Sequence, residues 1–381
     1  VDLAAVRHNV KMLREASPGA ELMAVVKADG YGHGAAPVAR AALQAGASWL
    51  GVCTLDEASD LRAAGIDAPI LSWLHLPGDD FAAAIAADVD LSVSSRKHLA
   101  AILEGAARAG RTVRLHLEID TGLSRNGVDP AGWTAVLDDA TKAVADGAAE
   151  VVAVWSHLAH ADAPRHPTSD RQAARLTVAW QGARDRGLTP IRHLANSAAT
   201  LTRPDLHFDL VRPGIAVYGL DPLGRPAAEG PLRPAMTLRA RVALVKRVPA
   251  GEGVSYGHEW TTPRETTLAL LPIGYADGVA RRLGHEGRMR VLLAGALRPV
   301  VGRVCMDQVI VDCGDAVVRE GEHAVLFGPG HEGEPTAQDW ADELGSIHYE
   351  VVTGVHGRRV TRTFSDGART SPDGAGAGAS W

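Results

Sequence analysis

LMAVVKADGYGHG, residues 22–34, is an apolar run rich in valine that stops at a lysine and passes into a glycine-rich loop. A short apolar run closed by turn residues is the signature of a buried parallel strand. The loop lacks the G-x-G-x-x-G spacing that opens a dinucleotide-binding, doubly wound sheet. Outward from this stretch, seven further runs follow at residues 49–53, 69–73, 90–94, 113–120, 151–157, 191–196 and 208–212, separated by alanine-rich segments of helical period. Eight strand-then-helix units exceed the strand count usual for an open sheet and predict an α/β fold, a TIM-type (β/α)8 barrel. Thr54-Leu-Asp-Glu57 fits a capping box at the start of the helix after the second run.

After Pro231 the texture changes to strand-like segments with Gly and Pro turns, at residues 236–248, 267–272, 289–293, 300–311 and 324–327. A mostly β second domain is expected. The Pro- and Gly-rich stretch 221–234 marks the junction, so the expected division is a barrel over 1–225, a β domain over 226–364 and a disordered tail over 365–381. A length of 381 residues accommodates both domains. With 46% apolar and 22% charged residues the composition is that of a globular protein, and no apolar run approaches the roughly 20 residues of a membrane helix.

The net charge of -6 and the scatter of basic residues argue against nucleic-acid binding. Three cysteines, at 53, 305 and 313, lack paired metal spacing and read as reduced core thiols, which points to a cytoplasmic setting. The sequence opens at Val1-Asp2-Leu3, inside an amphipathic pattern and without Met, so a few upstream residues are expected to be missing. Five tyrosines and five lysines, against 34 arginines, make the positions of those ten residues informative.

Functional side chains of a parallel barrel gather where its strands end. Here the runs end in Lys27, Trp73, Glu118 and Asp120 with Arg125 just beyond, His157, Asn196-Ser197, and Arg212-Pro-Gly214. A strand-end lysine is ordinarily a solvated charge. Beside other cations in a partly desolvated mouth, however, an amine becomes a nucleophile toward carbonyls, and Arg125 and Arg212 are placed to supply those cations.

This constellation resembles the alanine racemase family, which uses pyridoxal 5'-phosphate. AVVKADGYGHG (24–34) matches that family's lysine signature, and TGLSRNGV (121–128), WSHLAHAD (155–162), HLANSAAT (193–200), LVRPGIAVYG (210–219), VSYGHEW (254–260), PIGYADG (272–278) and GRVCMDQ (302–308) follow in order. The resemblance runs to about Phe364 and carries the same fold, a TIM-type barrel followed by a β domain. It implies an isomerase that interconverts L- and D-alanine and serves D-alanine biosynthesis.

The resemblance further implies that Lys27 bonds the cofactor, that Tyr31, Ser197, Gly214 and Ile215 hold its phosphate, and that Trp73 and Asn196 lie beside it. Arg212 would face the pyridine nitrogen with His157 hydrogen-bonded to it, and Arg125 would meet the substrate carboxylate. A guanidinium keeps its proton, so the ring nitrogen accepts a hydrogen bond and the ring is a weaker electron sink, which suits racemisation. Inverting a stereocentre needs two acid–base groups. The family's second group is the tyrosine of VSYGHEW, here Tyr256, contributed by the other subunit of a homodimer; positive charge on Arg212 and His157 is expected to help it ionise. Tyr275, Met306 and Asp307 would line the substrate's access path.

Two positions depart from the family pattern. Glu118 stands where many relatives carry a lysine, often carbamylated; as an anion on the inward face with Arg114, His116 and Asp120, it is expected to orient Arg125 in the carbamate's place. His356-Gly-Arg358 stands near the position of a phosphate-contacting tyrosine in some members. Gly328 to Gly333 matches G-x-G-x-x-G but reads as a turn, and His157 and His160 have H-x-x-H spacing without further convergent ligands, so no metal is expected. Two other readings remain open: a racemase for another small amino acid such as serine, and a non-catalytic pyridoxal-phosphate-binding homeostasis protein. A carrier needs no second proton donor, so Tyr256, Met306 and Asp307 favour an enzyme. A decarboxylase is disfavoured because VSYGHEW lacks the Cys-bearing motif of such relatives.

Overall fold

A computed structural model describes residues 1–226 and 229–367 of the chain. Eight parallel strands close into a barrel: β1 (Glu21–Val25), β2 (Trp49–Val52), β3 (Ile70–Ser72), β4 (Val89–Val93), β5 (Val113–Glu118), β6 (Ala149–Trp155), β7 (Ile191–Asn196) and β8 (Leu210–Arg212). Closure is made by β1, which pairs with β2 through Met23 and Trp49 and with β8 through Glu21 and Leu210. Each observed strand lies within two residues of its expected run. The helix Leu55–Ala63 carries the expected capping box: Thr54 accepts the Glu57 amide while Glu57 reaches back to the Thr54 amide.

The side chains inside the barrel divide into an apolar plug and a polar file. Met23, Trp49, Leu71 and Leu210 form the plug. The polar file is Asp90, His116 and His193, all at most 2% exposed. Polar groups this deeply buried must be bonded to one another, and their bonds lead to the site described below.

The β domain is a seven-stranded sheet of order β10-β13-β16-β15-β14-β17-β9 with a separate two-stranded ribbon, β11-β12. Its strands are β9 (Leu238–Arg241), β10 (Leu244–Val248), β11 (Gly253–Val254), β12 (Trp260–Thr261), β13 (Thr266–Leu271), β14 (Arg290–Leu293), β15 (Ala296–Val301), β16 (Val309–Gly314) and β17 (His323–Phe327). Two expectations are corrected. The run 236–248 is two strands on opposite edges of the sheet, and the run 300–311 is the end of β15, a loop from Gly302 to Gln308, and the start of β16. Gly302 makes the exit from β15 at φ +69, where an added Cβ would meet the Val254 carbonyl at 2.7 Å. The resulting loop carries Met306 and Asp307.

The first helix, Leu3–Ala16, ties the domains together. Asn9 donates to the carbonyls of Val217 and Arg233 and accepts the Arg233 amide. At the other end Ser365 pairs with Asp2, so the expected tail is anchored at its first residue. Residues 368–381 of that tail lie outside the described residues. Among the described residues no helix is long and apolar enough to cross a membrane.

Candidate active site

Lys27 follows β1 by two residues rather than ending it, and it opens a turn of unusual hand. Ala28, Asp29, Gly30 and Tyr31 have φ of 51, 50, 61 and 52. Only glycine adopts that region without penalty; the left-handed conformation costs each other residue roughly 1–2 kcal/mol. The turn closes on itself through the Gly30 amide to Val26 and the Gly32 amide to Ala28. It leaves Lys27 half-buried, with its Nζ 5.9 Å from the centre of the Trp73 ring.

Arg212, at the end of β8, is 5% exposed and held through both of its terminal nitrogens. It donates to the Ser156 carbonyl at 2.8 Å and to Nδ1 of His193 at 2.9 Å, stands 3.4 Å from Nδ1 of His157, and lies over the Trp155 ring at 4.7 Å. A guanidinium can only donate, so Nδ1 of His193 accepts and its Nε2 carries the hydrogen. That hydrogen goes to Nδ1 of His116 (3.0 Å), whose Nε2 in turn donates to Asp90 (3.1 Å). Arg114 pairs with the other oxygen of Asp90 at 2.9 Å. One tautomer of each imidazole is thereby selected along a file that runs from the floor of the barrel to Arg212. Burial holds the His193 imidazole well below the usual histidine range, in keeping with its accepting role. Asp90→Asn places an amide donor against either His116 or Arg114. It is expected to lower the unfolding free energy by about 2 kcal/mol in urea titrations.

Burial, with Arg212, Arg125 and Lys27 adding to it, pushes His157 down to about 3. His157 is therefore neutral, and the expected positive charge beside Arg212 is absent: three cations crowd a desolvated ring, which expels its proton. Lys27, Arg125 and Arg212 all stand at or beyond the C-terminal ends of parallel strands, which places them at the same end of the barrel.

Glu118 is 4% exposed at the end of β5. Its Oε2 accepts from Asn126 at 2.7 Å and from Ser94 at 3.2 Å. The expected contact with Arg125 is corrected accordingly: the carboxyl group holds Asn126, the residue after Arg125, and Arg125 itself is exposed. Burial pushes the Glu118 carboxyl up to about 7, against the pull of the Ser94 hydrogen bond and of Arg212 and Arg125. The folded chain keeps this proton to a higher pH than the unfolded chain, so this group's contribution to stability declines as pH rises from about 4.5 through 7, by about 3 kcal/mol. Glu118→Gln removes that decline. The variant's stability relative to the parent should grow across this window and level off above it; a difference independent of pH would contradict the assignment.

Between β7 and β8 lies a set of oxygen-binding groups. Ser197 Oγ accepts the amides of Gly214 (2.8 Å) and Ala216 (3.3 Å) at the start of the short 3-10 helix Ile215–Tyr218. The Tyr31 hydroxyl stands over Gly214, where a Cβ would come within 2.3 Å of it, so only glycine fits. Asn196 caps the adjoining helix through the Ala199 amide. Hydroxyls and backbone amides at a helix start, without a carboxylate among them, suit a phosphate. The Tyr31 ring is packed between Tyr218, centroids 4.9 Å apart, and Tyr349, at 6.3 Å.

Tyr256, Tyr275, Met306 and Asp307 form a second group, on the β domain. Tyr275 and Ala276 amides bond the carbonyls of Cys305 and Met306, and Ser255 bonds the Arg303 carbonyl, which sets the Tyr256 loop beside them. Tyr256, Tyr275 and Met306 are 72%, 42% and 54% exposed. Arg359 bridges Asp307 and the buried Asp277.

The model of the alanine racemase N-terminal domain matches residues 1–222 and that of the alanine racemase C-terminal domain matches residues 235–364. The chain belongs to the alanine racemase family. It is 57% identical over 370 residues to the alanine racemase of Salinispora arenicola, covering 97% of this chain and 98% of that one, and 56% identical to that of Mycobacterium tuberculosis over 96% and 95%. Among solved structures, the alanine racemase from D-cycloserine-producing Streptomyces lavendulae matches with a TM-score of 0.92 at 50% identity, covering 97% and 96% of the two chains. That from Bacillus anthracis with bound L-Ala-P matches with 0.87 at 36%, covering 96% and 94%.

Within this racemase the barrel mouth gathers Lys27, Tyr31, Trp73, Glu118, Arg125, His157, Asn196, Ser197, Arg212, Gly214 and Ile215, whereas Tyr256, Tyr275, Met306 and Asp307 stand apart from them on the β domain. Sequence reasoning passed over Asp90, His193 and Ser156; the available signal was polar residues at inward positions of otherwise apolar strands. It also gave no place to Tyr349 or to the wider role of Glu57. The G-x-G-x-x-G match proves to be a loop whose Gly330 and Glu332 amides are taken by Glu334 (2.8 Å each), so a carboxylate of the chain itself fills that anion-binding position. Of the H-x-x-H pair, His157 turns in to Arg212 and His160 stacks on His166.

Proposed function

We propose that this racemase interconverts L- and D-alanine with pyridoxal 5'-phosphate, using Lys27 and Tyr256 of the partner subunit as the two acid–base groups of a homodimer. The observation that carries this reading is that Lys27 beside Trp73, and Arg212 tied to the Ser156 carbonyl, open at the same end of the barrel as the cradle of Tyr31 and Ser197. The residues present fit the cofactor: Lys27 offers the amine for its aldehyde; the Tyr31 and Ser197 hydroxyls and the Ile215 amide, at the close approach that Gly214 allows, offer donors for its phosphate; and Arg212 offers a fixed cation for its ring nitrogen. Bound there, pyridoxal phosphate supplies an electron sink that acidifies the α-proton of an amino acid.

The chain's own groups do the rest. Arg125, reaching out from the mouth, meets the substrate carboxylate. Burial pulls the Arg212 guanidinium down to about 9 and Glu118 opposes that pull, which leaves it charged at neutral pH. Lys27 exchanges the α-proton on one face. The other face requires a second acid–base group, and an exposed tyrosine on a separate domain, Tyr256, suits delivery across a subunit boundary. Incubation with a panel of L- and D-amino acids in deuterated water, followed by chiral analysis, tests the reading. Exchange with inversion at alanine is expected. Inversion confined to serine would move the substrate, and binding of cofactor with no exchange of any amino acid would make the protein a carrier.

A further inference from the structure

The left-handed turn after Lys27 is held in its conformation by groups outside it. Five consecutive residues with positive φ, 28–32, three of them not glycine, persist only when the surroundings over-determine them. Two charged side chains, one from each domain, do so. Glu57, on the helix after β2, accepts the Ala28 amide on Oε1 at 2.6 Å, and the Cys53 and Thr54 amides on Oε2 at 2.7 and 3.2 Å. It thus bolts the residue next to Lys27 onto the end of the neighbouring strand. Arg362, beyond the β domain's last helix, pairs with Asp29 Oδ2 at 2.6 Å and donates through Nε to the Gly32 carbonyl at 2.9 Å. Asp29 itself accepts the Ala35 amide at 2.9 Å, completing the link to the following helix.

We propose that Glu57 and Arg362 are positioning residues for Lys27, clamping from two domains the turn that aims its amine into the barrel mouth. The proposal deepens the reading given above and rests on Lys27 being the reacting amine. Glu57 does more than cap its helix: a carboxylate serves three amides on two oxygens, which a carboxamide cannot, since its NH2 end would face an N–H. Arg362 makes its two bonds through the fork of a guanidinium, so lysine can replace one of them only.

Four variants of the holoenzyme separate positioning from mere stability. Glu57→Gln and Arg362→Met are expected to lower kcat roughly 10- to 100-fold, the effect of a slightly misplaced reacting group, with KM for alanine changed less than about threefold. Amides of residues 28–34 should exchange faster with deuterium, read by mass spectrometry. Thr54→Ala removes the helix cap but leaves Glu57 on Ala28; it should lower the thermal midpoint by a few degrees and keep kcat and the exchange of 28–34 unchanged. Arg362→Lys should recover part of the lost turnover. Parental kcat in both clamp variants, or an equal kcat loss in Thr54→Ala, overturns the proposal. Should the parent protein fail to racemise alanine, the functional reading falls; faster exchange at 28–34 in the clamp variants then still establishes the clamp, and unchanged exchange removes it.

Discussion

Lys27→Ala is expected to abolish the visible absorbance of bound cofactor and to reduce racemisation at least about 10^4-fold, because one residue carries two duties. Loss of a positioned acid–base group alone costs typically 10^2- to 10^4-fold, and loss of the covalent anchor removes the alignment of the reacting atoms as well. The environment leaves no substitute. The Trp73 ring, 5.9 Å from Nζ, forms one wall, His157 is neutral and bonded toward Arg212, and Arg212 is itself tied to His193 and the Ser156 carbonyl. Absorbance spectra and chiral analysis of alanine read the two effects separately. Persistence of both in the variant would rule out Lys27 as the anchor.

Tyr256→Phe is expected to keep the cofactor absorbance yet lose proton exchange from one enantiomer, with turnover down about 10^2- to 10^4-fold. Tyr256 lies on a different domain from Lys27 and is 72% exposed, so its removal leaves the cofactor cradle intact. Equal residual exchange from L- and D-alanine would count against a two-base assignment. Subunit sharing has its own test. When inactive Lys27→Ala and Tyr256→Phe proteins are dissociated and reassembled together, a two-fold dimer places one intact pair in each mixed molecule. Roughly a quarter of the parental activity should return. No recovery would place both groups in the same chain.

How far these roles could be read beforehand differs from residue to residue. Lys27, Arg212 and Ser197 were legible because parallel barrels collect function at strand ends and strand ends are visible as the close of apolar runs. Tyr256, Met306 and Asp307 were legible only through the ordered motifs, since no local pattern distinguishes an exposed loop tyrosine. The loop Gly302 to Gln308 was hidden because its valine and cysteine extend the apolar pattern of β15 into β16, and only the turn at Gly302 breaks it. The charge expected on His157 was absent because protonation depends on burial and on three cations brought from different strands.

By itself the sequence determined the barrel and the β domain, because strand and helix periodicities and capping residues act over a few positions: Thr54 and Glu57 specify their helix start within four residues. Only the tertiary structure decided what those residues do next. Glu57 bonds Ala28, 29 positions away, His116 bonds His193, 77 positions away, and Arg362 reaches Asp29 from the other domain. Such contacts exist only once the barrel has closed and the β domain has docked, since closure brings strand interiors into one dry space where each polar group must find its partner among residues far apart in the chain.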